Sequence, residues 1–470
     1  MAELLLKCDR CSDNEERIVI MDKAKSLWCR YYDYILIMLI YGLLHFFMHT
    51  DYWDDLAQKT LLKDWNYSLI DFINYSYHNW GSTIILLAAE AILGFLPNFI
   101  WKILDIIMIE FIYHFFTHII QLLSGDSLPK LWAVLFFFNF PYSIFATAGW
   151  LTTTIAYAWP FAMFFYSVYT LLISVGKTKI KPVTYILFFG AVVFAANYYL
   201  NSILLFIIFI TIYVTYKTRN RWFNVLFAEG MVGILLNMLL LILSPGNMGR
   251  NAADATYHNS AALLNLSVID HLRMGVNTTF YHFVSVPNII LFTFCIILAV
   301  CTFLKTKTMS QRLISCIPLL IDIFWTGYVF FQYTIPNRTL TYIYPDALFQ
   351  TCPQTEQYCV MVSALVMVAA MCYLLAFLTD FSHQSWILIG VLLIVGLFPE
   401  VALGFTATIS VSIMRVASYF YFALMFCSYM LVIRYNTMKL HLLKTGFYTL
   451  AILGALLNIL QIIRHIMVYG

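Results

Sequence analysis

Long apolar runs, most of them near the length of a membrane-crossing helix, follow one another along almost the whole chain and are separated by short polar loops. A helix needs about 20 apolar residues to cross the hydrocarbon core of a bilayer. The runs are continuous rather than alternating, so they predict helices and not the strands of a barrel. A helix also pairs its own backbone polar groups, as lipid requires. The chain is therefore predicted to be an all-α, polytopic membrane protein.

Composition agrees with the pattern of runs. Only 11% of the 470 residues are charged and 62% are hydrophobic, whereas soluble domains carry about 25% charged residues. This excludes a soluble enzyme, and a net charge of +3 gives no reason to expect nucleic acid as a partner. We expect a bundle of about 12–14 spans with an amphipathic first outer loop. The candidate spans are 33–49, 83–98, 100–123, 131–147, 159–176, 184–199, 201–216, 223–243, 286–304, 313–333, 359–378, 386–403, 416–433 and 446–464.

Short basic loops predict the orientation of the bundle. Lys and Arg cluster before the first run, around residues 177–181 and 217–221, and again at 305–312 and 434–444. By the positive-inside rule these segments are cytoplasmic. Residues 1–30 are then a cytoplasmic amino-terminal segment, and 31–470 form a single membrane domain. The loops expected on the opposite, outer face are 50–82, 148–158, 244–285, 334–358 and 404–415.

One stretch of this topology contains a conflict. If loops 50–82 and 148–158 both lie outside, an even number of crossings must separate them. Three candidate spans stand between these loops, at 83–98, 100–123 and 131–147. Either one of them is re-entrant, or the short run 83–98 does not fully cross the membrane.

Acidic residues open the first outer loop. Asp51, Asp54 and Asp55 follow the first apolar run within a few residues. A carboxylate at that depth is partly desolvated, and it can bind a divalent cation or accept a proton from a hydroxyl group. Asp54 and Asp55 are therefore candidate ligands for Mg²⁺ or Mn²⁺. The alternative is that acidic residues simply end a span on its outer side. Downstream, residues 65–73 predict an amphipathic helix on the membrane surface.

Cations are the second feature of the predicted outer loops. Arg250 follows the turn sequence Ser244–Asn247, and a fixed cation beside a tight turn could hold a phosphate. The alternative is a turn that ends a helix beside an interfacial arginine. Arg338 and Arg415 are further outer cations, which suit an anionic lipid headgroup or, alternatively, snorkel to the interface.

Aromatic residues mark the outer mouth of one span. Tyr157 and Trp159 precede Pro160 at the start of an apolar run. Their rings could stack on a sugar, or they could belong to the aromatic belt that membrane proteins place at the headgroup level. Ionisable residues also occur inside the spans, where such groups usually face the interior of a bundle, but their dispersion does not define a proton relay.

The order of these pieces resembles the C-type (GT-C) superfamily of polyprenyl-phosphate-sugar-dependent glycosyltransferases, and within it a group of bacterial members. That superfamily places an acidic pair directly after its first span. The layout covers roughly residues 30–430, although the specific motifs cover about twenty residues. The motifs are Trp53-Asp54-Asp55, Tyr77-His78-Asn79-Trp80-Gly81, Tyr157-Ala158-Trp159-Pro160 and Pro245-Gly246-Asn247-Met248-Gly249-Arg250. Ser82 departs from the pattern, because an arginine is expected after Trp80-Gly81.

The resemblance implies an inverting sugar transfer at the outer leaflet of a bacterial cytoplasmic membrane. It implies that Asp54 or Asp55 is the catalytic base. The residues implied for the donor phosphate and lipid are Arg250, Arg415, Arg338 and Asn247. Those implied for the sugar or acceptor are Tyr157, Trp159, His78 and Trp80. The expected partners are a polyprenyl-phosphate sugar, a glycan or glycolipid acceptor and membrane lipids.

Two other functions remain open at this point. A flippase or transporter of lipid-linked saccharide would explain the spans, but it predicts internal repeats and binding groups near the midplane. A polysaccharide polymerase or ligase is also polytopic and depends on a large outer loop late in the chain. The loop 244–285 is long enough to keep that alternative.

Overall fold

A computed structural model describes residues 14–177, 179–216, 220–257, 266–334, 354–406 and 408–469. This part of the chain is helical and contains no strand. The first helices are α1 (Asn14–Phe47), α2 (Trp53–Asp64), α3 (Leu69–Asn79), α4 (Ile84–Phe95), α5 (Asn98–Ser124) and α6 (Lys130–Phe137). A 3-10 turn (Tyr142–Ala146) leads to α7 (Trp150–Ser174), α8 (Pro182–Ala196), α9 (Tyr199–Tyr216), α10 (Arg221–Leu243), α11 (Gly246–Tyr257) and α12 (Val268–Ser285). The last are α13 (Ile289–Lys305), α14 (Met309–Thr334), α15 (Gln354–Leu378), α16 (His383–Phe405), α17 (Ile409–Arg434) and α18 (His441–Tyr469).

Among the described helices, nine are long and apolar enough to cross a membrane, and a tenth span results if α12 and α13 are one span bent by 76°. The polytopic helical membrane protein predicted from the sequence is thus confirmed, but the predicted 12–14 spans exceed this number. Four candidate spans account for the difference: 33–49 lies in α1, which is not among these helices, and 83–98, 131–147 and 184–199 lie in α4, α6 with its 3-10 turn, and α8, which are shorter. Twelve residues of α4 cover about 18 Å, against a hydrocarbon core of about 30 Å. An apolar run does not reveal where its helix breaks.

Helix α17 is the centre of the bundle. An 18-residue window within its segment Ser412–Arg434 is entirely buried, whereas the corresponding windows of the other eight spans are 28–67% buried. Phe422 of α17 meets Phe116 of α5 and Phe165 of α7, with ring centroids 5.1–5.4 Å apart. Interlocked rings of this kind supply the van der Waals contact that holds helices together in lipid, where the hydrophobic effect does not.

Polar contacts tie together the helix ends at one extreme of the bundle, here called the basic end. Asp380 accepts hydrogen bonds from Lys305 and, at 2.8 Å, from Arg434. Lys130 donates to the backbone oxygen of Arg30 at 2.5 Å. Arg30, Lys305 and Arg434 come from segments that the sequence grouped by their positive charge. The Tyr429 hydroxyl group of α17 donates to the backbone oxygen of Ala133 in α6 at 2.7 Å, so both sets of contacts lie at the same end.

At the opposite extreme, here called the site end, residues of four predicted outer loops contact one another. The contacts are Asp54 N to Ala148 O at 3.1 Å, Ser244 Oγ to Tyr77 O at 2.8 Å and His271 Nδ1 to Gly404 O at 2.7 Å. In the fifth loop, residues 335–353 lie outside the described residues. The loops that surround the predicted acidic pair therefore form one continuous surface.

Helix α4 resolves the conflict in the predicted topology. A Cβ atom at Gly94, near its carboxyl end, would lie 2.7 Å from the backbone oxygen of Gln58 in α2. Near its amino end, the backbone N–H of Leu86 donates to Asn197 Oδ1 at 3.2 Å. Both ends of α4 thus stay at the site end, so the contacts fit the alternative in which the run 83–98 does not cross.

Two predicted boundaries fall elsewhere in the structure. Helix α1 begins at Asn14, so the predicted boundary at residue 30 lies inside a continuous helix. The surface helix expected over residues 65–73 begins only at Leu69, as α3, because a turn at Asn66 and Tyr67, whose φ angles are +50° and +63°, separates it from α2. The two residues with left-handed backbone end α2 before α3 begins. The apolar pattern of residues 65–73 alone does not indicate this turn.

Candidate functional site

The acidic pair lies in the first turn of α2, directly after a strained residue. Trp53 has φ +47°, which is unusual for a bulky side chain and is typical of functional sites. The preceding Tyr52 is extended, so the chain turns sharply as α2 begins. The backbone N–H of Asp54 donates to Ala148 O at 3.1 Å. This bond fixes the acidic pair against the loop that leads into α7.

Asp55 is a buried group that caps α7. Its Oδ2 accepts from the backbone N–H of Leu151 at 3.0 Å and its Oδ1 from that of Thr152 at 2.8 Å. The side chain is 1% exposed. Burial raises the pKa of Asp55 to about 6, although the two backbone bonds oppose this rise. Both oxygens are held at the positive end of a helix, so Asp55 joins α2 to α7.

Gly149 allows the Asp55 carboxylate to come close to the amino end of α7. Its φ is +117°, and a Cβ atom there would lie 2.3 Å from Asp55 Oδ1. Real Cβ atoms do not come so close to another heavy atom, so any side chain would push the carboxylate away. The conformation itself also favours glycine. The sequence offered Gly149 no special role, because only the fold shows what faces it.

Asp54 is in a different environment from its neighbour. Its side chain is exposed, yet surrounding protein desolvates it enough to raise its pKa, against the opposing charges of Arg415 and Arg250. A group that is accessible to solvent and also partly desolvated lies in a recess. Among the described residues, neither arginine is within ion-pairing distance of Asp54, since the ion pair found for Arg250 is with Asp254. Asp54 is thus an accessible carboxylate in a positive field.

Arg415 reaches this recess from the start of the central helix α17. Its Nε donates to Thr147 Oγ1 at 2.7 Å, and its guanidinium group lies 5.6 Å from the ring centroid of Tyr157. Tyr157 in turn packs on Tyr198 with centroids 5.1 Å apart. One nitrogen and one face of the guanidinium group are thereby fixed. The structure brings together Asp54, Arg415 and Tyr157, which the sequence singled out separately.

The turn before α11 packs tightly on the end of α3. A Cβ atom at Gly246 would lie 2.6 Å from the backbone N of Trp80, so only glycine fits there. Asn247 Oδ1 accepts from Ser82 N at 3.1 Å, and its Nδ2 donates to Leu241 O at 2.7 Å. The Asn247 side chain therefore holds the turn in place. Ser82, found where the resemblance expects an arginine, is the backbone partner of this contact.

Arg250 extends from that turn over an aromatic ring. Its guanidinium group lies 5.2 Å from the ring centroid of Trp80, and its Nε donates to Asp254 Oδ2 at 3.4 Å, one helical turn further on. Trp80 is 42% exposed. Exposed cation–π pairs of this kind contribute about 0.5–1 kcal/mol. Two motifs that lie about 165 residues apart in the chain thus form one wall of the recess.

A third carboxylate, not selected from the sequence as a site residue, lies beneath the acidic pair. Glu90 of α4 is 4% exposed and accepts from Gln58 Nε2 at 3.0 Å. The charges of Arg250, Asp54 and Asp55 act on it. Its position within an apolar run was visible in the sequence, but its neighbours depend on the packing of α4 along α2.

Trp159 is in the core below the recess. It is 5% exposed, and its indole N–H donates to Asp105 Oδ1 at 2.7 Å. Asp105 also accepts from His45 Nε2 at 2.7 Å and from Tyr142. His45 Nδ1 meets the Tyr41 carbonyl oxygen at 2.7 Å, so both ring nitrogens face acceptors. Trp159 thus belongs to a buried network under the amino end of α7.

Of the two remaining predicted site residues, one is exposed on α3 and the other lies outside the described residues. His78 is exposed on α3, where its Nδ1 donates to the backbone oxygen of Asn74 at 2.8 Å. Arg338 lies outside the described residues. The recess therefore contains Asp54, Arg250, Arg415, Trp80 and Tyr157, while Asn247 and Asp55 fix its walls.

A divalent cation fits poorly with these donors. Over the described ranges, no group of three or more His, Cys, Asp or Glu side chains could hold a metal ion. Both oxygens of Asp55 already accept backbone bonds, and two guanidinium groups act on Asp54. A hard cation prefers several free oxygen ligands, so no step below depends on a metal.

The fold and its apolar helices define a polytopic helical membrane protein, with a charged recess at one end of the bundle. Comparison of the chain with protein-family models, curated proteins and solved structures finds no match.

Proposed function

We propose that the chain is an inverting membrane glycosyltransferase, which moves a sugar from a polyprenyl-phosphate donor to a hydroxyl group of a cell-surface glycan or lipid-linked acceptor at the outer leaflet. The observation that supports this is the recess around Asp54. An accessible carboxylate lies there beside two guanidinium groups that act on it without pairing with it. Transfer from a phosphate donor needs both functions in one place, a base for the acceptor and positive charge for the leaving phosphate.

The chemistry then takes place in one displacement. The acceptor oxygen attacks the anomeric carbon, and the bond from that carbon to the phosphate oxygen breaks, leaving its electron pair on the polyprenyl phosphate. The hydroxyl proton passes to Asp54 as the new bond forms. Arg250 and Arg415 stabilise the charge that develops on the phosphate. Attack from the side opposite the phosphate inverts the anomeric configuration.

The other residues position these groups. Asp55 holds α2 against α7, and Asn247 holds the turn that carries Arg250. Trp80 and Tyr157 support the two guanidinium groups, and Trp80, which is 42% exposed, offers an aromatic surface to a sugar ring. Asp54 is assigned as the base rather than Asp55, because both oxygens of Asp55 are taken by backbone N–H groups.

The test is sugar transfer by the purified chain in nanodiscs loaded with radiolabelled polyprenyl-phosphate sugars. Asp54→Asn removes the proton acceptor but keeps the shape, so transfer should fall by about 10²–10⁴-fold, the usual contribution of a general base. Asp64→Asn is the matched control, because Asp64 is an exposed carboxylate in the last turn of the same helix. It should retain wild-type transfer.

Binding separates this proposal from translocation. The Asp54→Asn variant should still bind the lipid-linked sugar, since the arginines remain. If the wild type consumes no donor but moves it between leaflets, the chain is a flippase and the catalytic role of Asp54 is wrong. Equal transfer by Asp54→Asn and Asp64→Asn would also contradict the role of Asp54.

A further inference from the structure

The turn between α8 and α9 is fixed at the site end by the side chain of Asn197. Every hydrogen-bonding position of this buried amide is taken. Its partners are Ile85 N at 3.1 Å, Leu86 N at 3.2 Å, Ser82 O at 3.3 Å and Asn237 Oδ1 at 3.0 Å. Ser82 closely follows Trp80, on whose ring Arg250 packs. The turn is therefore held against the segment that forms one wall of the recess.

Three tyrosine rings lead from Arg415 to this turn and are here called the tyrosine row. The Arg415 guanidinium group lies 5.6 Å from the ring centroid of Tyr157. The centroid of Tyr198 lies 5.1 Å from that of Tyr157 and 5.1 Å from that of Tyr199. At the far end of the row, the charge of Arg250 acts on the Tyr199 hydroxyl group. The row thus extends from one cation of the recess into the field of the other.

The hydroxyl groups of the tyrosine row lie near one another, because each acts electrostatically on the others. A fourth hydroxyl group, that of Tyr419, is affected by Tyr157 and Tyr199 and donates to Asn201 Oδ1 at 2.6 Å. Tyr198 and Tyr419 are 7% and 1% exposed, whereas Tyr199 is half-buried. Tyr157 is also half-buried, but its ring packs against Arg415. Tyr199 is therefore the member of the row that is best placed to meet a molecule in the recess.

We propose that the tyrosine row binds the sugar of the lipid-linked donor, that this sugar is a neutral hexose, and that the Tyr199 hydroxyl group selects among such sugars. The proposal rests on the transferase function proposed above, in which Arg250 and Arg415 hold the phosphate. Tyrosine offers an aromatic face and a hydroxyl group, which match the C–H faces and hydroxyl groups of a sugar. The row carries no charge of its own, so it suits a neutral sugar. A site that hydrogen-bonds one substrate hydroxyl group rejects an epimer that leaves its own group unpaired.

The test is equilibrium binding of radiolabelled lipids to the full chain in detergent. The probes are farnesyl phosphate and its esters with glucose, mannose and galactose, because mannose and galactose each differ from glucose in the configuration of one hydroxyl group. The wild type should bind one ester at least tenfold more tightly than farnesyl phosphate and than the weakest ester. Tyr199→Phe removes only a hydroxyl group, so it should weaken the preferred ester about five- to tenfold. It should leave farnesyl phosphate unchanged.

Two further variants separate sugar recognition from folding. Tyr216→Phe is the matched control, because Tyr216 is exposed at the other end of the same helix, and it should bind all four lipids like the wild type. Arg415→Gln should weaken all four lipids, farnesyl phosphate included, because its charge acts on the phosphate. Partial unfolding would also weaken farnesyl phosphate, so a loss confined to the sugar-bearing lipids identifies a contact with the sugar.

Two outcomes overturn the proposal. One is a Tyr199→Phe variant that weakens farnesyl phosphate as much as the preferred ester, or weakens neither. The other is a wild type that binds none of the three esters more tightly than farnesyl phosphate. Sugar transfer is measured separately. Tyr199-dependent sugar binding without transfer would contradict the transferase and support the tyrosine row, whereas transfer with unchanged sugar binding in Tyr199→Phe would do the reverse.

Discussion

The site-end recess and a cleft at the basic end, which lies between α1, α5 and α6 and whose lining includes Arg30 and Lys130, each combine a carboxylate with cations, but they do so in opposite ways. In the cleft, Asp33 is buried and lies 3.7 Å from Lys130. In the recess, Asp54 is accessible, and its two arginines act from beyond ion-pairing distance. A buried carboxylate beside a lysine holds helix ends together, whereas an accessible and unpaired carboxylate can take up a proton.

The two regions also differ in how the chain builds them. The cleft uses α1, α5 and α6, whose contacts join residues 80–100 positions apart in sequence, against up to 268 positions in the recess. The recess uses α2, α11 and α17, together with the loop before α7, so its geometry depends on contacts between distant segments. Substitutions that disturb those contacts should therefore harm the recess more than equivalent substitutions harm the cleft.

Among substitutions that compare the two ends of the bundle, Gly149→Ala should have the largest effect on stability. The new Cβ atom would collide with Asp55 in a backbone conformation that disfavours alanine, so we expect a destabilisation of about 3 kcal/mol or more. Gly125→Ala is the matched control at the basic end, because Gly125 also has positive φ, +77°, but has open space beside it. It should cost about 1 kcal/mol. Thermal unfolding in detergent measures both, and equal losses would contradict the tight contact at Gly149.

Asp55→Asn should change how stability depends on pH. The pKa of Asp55 is raised from its ordinary 3.8 to about 6 in the folded chain, so the folded state binds its proton more tightly than the unfolded state. This contribution to stability is complete below pH about 4 and is lost as the pH rises through about 6. The difference between the folded and unfolded pKa values corresponds to about 2–3 kcal/mol in the free energy of unfolding.

Denaturation of the wild type and of Asp55→Asn between pH 4 and pH 7 measures this contribution. The difference in free energy of unfolding, wild type minus variant, should fall as the pH rises. A difference that is constant across the window would show that Asp55 keeps its ordinary pKa.

The sequence predicted the helical membrane class, because continuous apolar runs require helices in lipid. It also selected Asp54, Arg250 and Arg415, because charged residues are rare enough in this chain to be conspicuous. Over the described residues the number of spans is lower than predicted, because apolar runs shorter than about 20 residues, such as 83–98 and 184–199, were counted as spans. The residues that lie close together in the recess come from loops that are far apart in the sequence. Only the packing of the helices determines which of these loops meet.

The division of labour between the two aspartates could not be predicted for a similar reason. Asp54 and Asp55 are adjacent and chemically identical in the sequence. They differ because α2 turns one towards the backbone of Leu151 and leaves the other in the recess. Trp159 was expected to contact a sugar or to belong to the aromatic belt, but in the structure its side chain is buried. Its indole N–H found a buried acceptor, Asp105.

Arg415→Gln should shift the pH dependence of transfer. The positive charge of Arg415 lowers the pKa of Asp54, so its removal should raise that pKa further and move the acidic limb of the pH–rate profile to higher pH. Loss of charge at the phosphate should also slow transfer by about 10–100-fold. Arg434→Gln is the control at the basic end of the same helix, where the side chain meets Asp380. Its acidic limb should match that of the wild type, and a shift in both variants would point to an indirect cause.

Trp80→Leu should have the smallest effect. The ring supports the Arg250 guanidinium group from an exposed position, where such contacts are worth about 0.5–1 kcal/mol. The KM for the lipid-linked sugar should rise about two- to fivefold with kcat nearly unchanged, because the ring orients the cation in the ground state and the transition state alike. Trp80→Phe keeps an aromatic face and should restore most of the loss. If kcat falls instead, Trp80 contacts the reacting sugar, and the recess would then recognise its substrate through stacking as well as through charge.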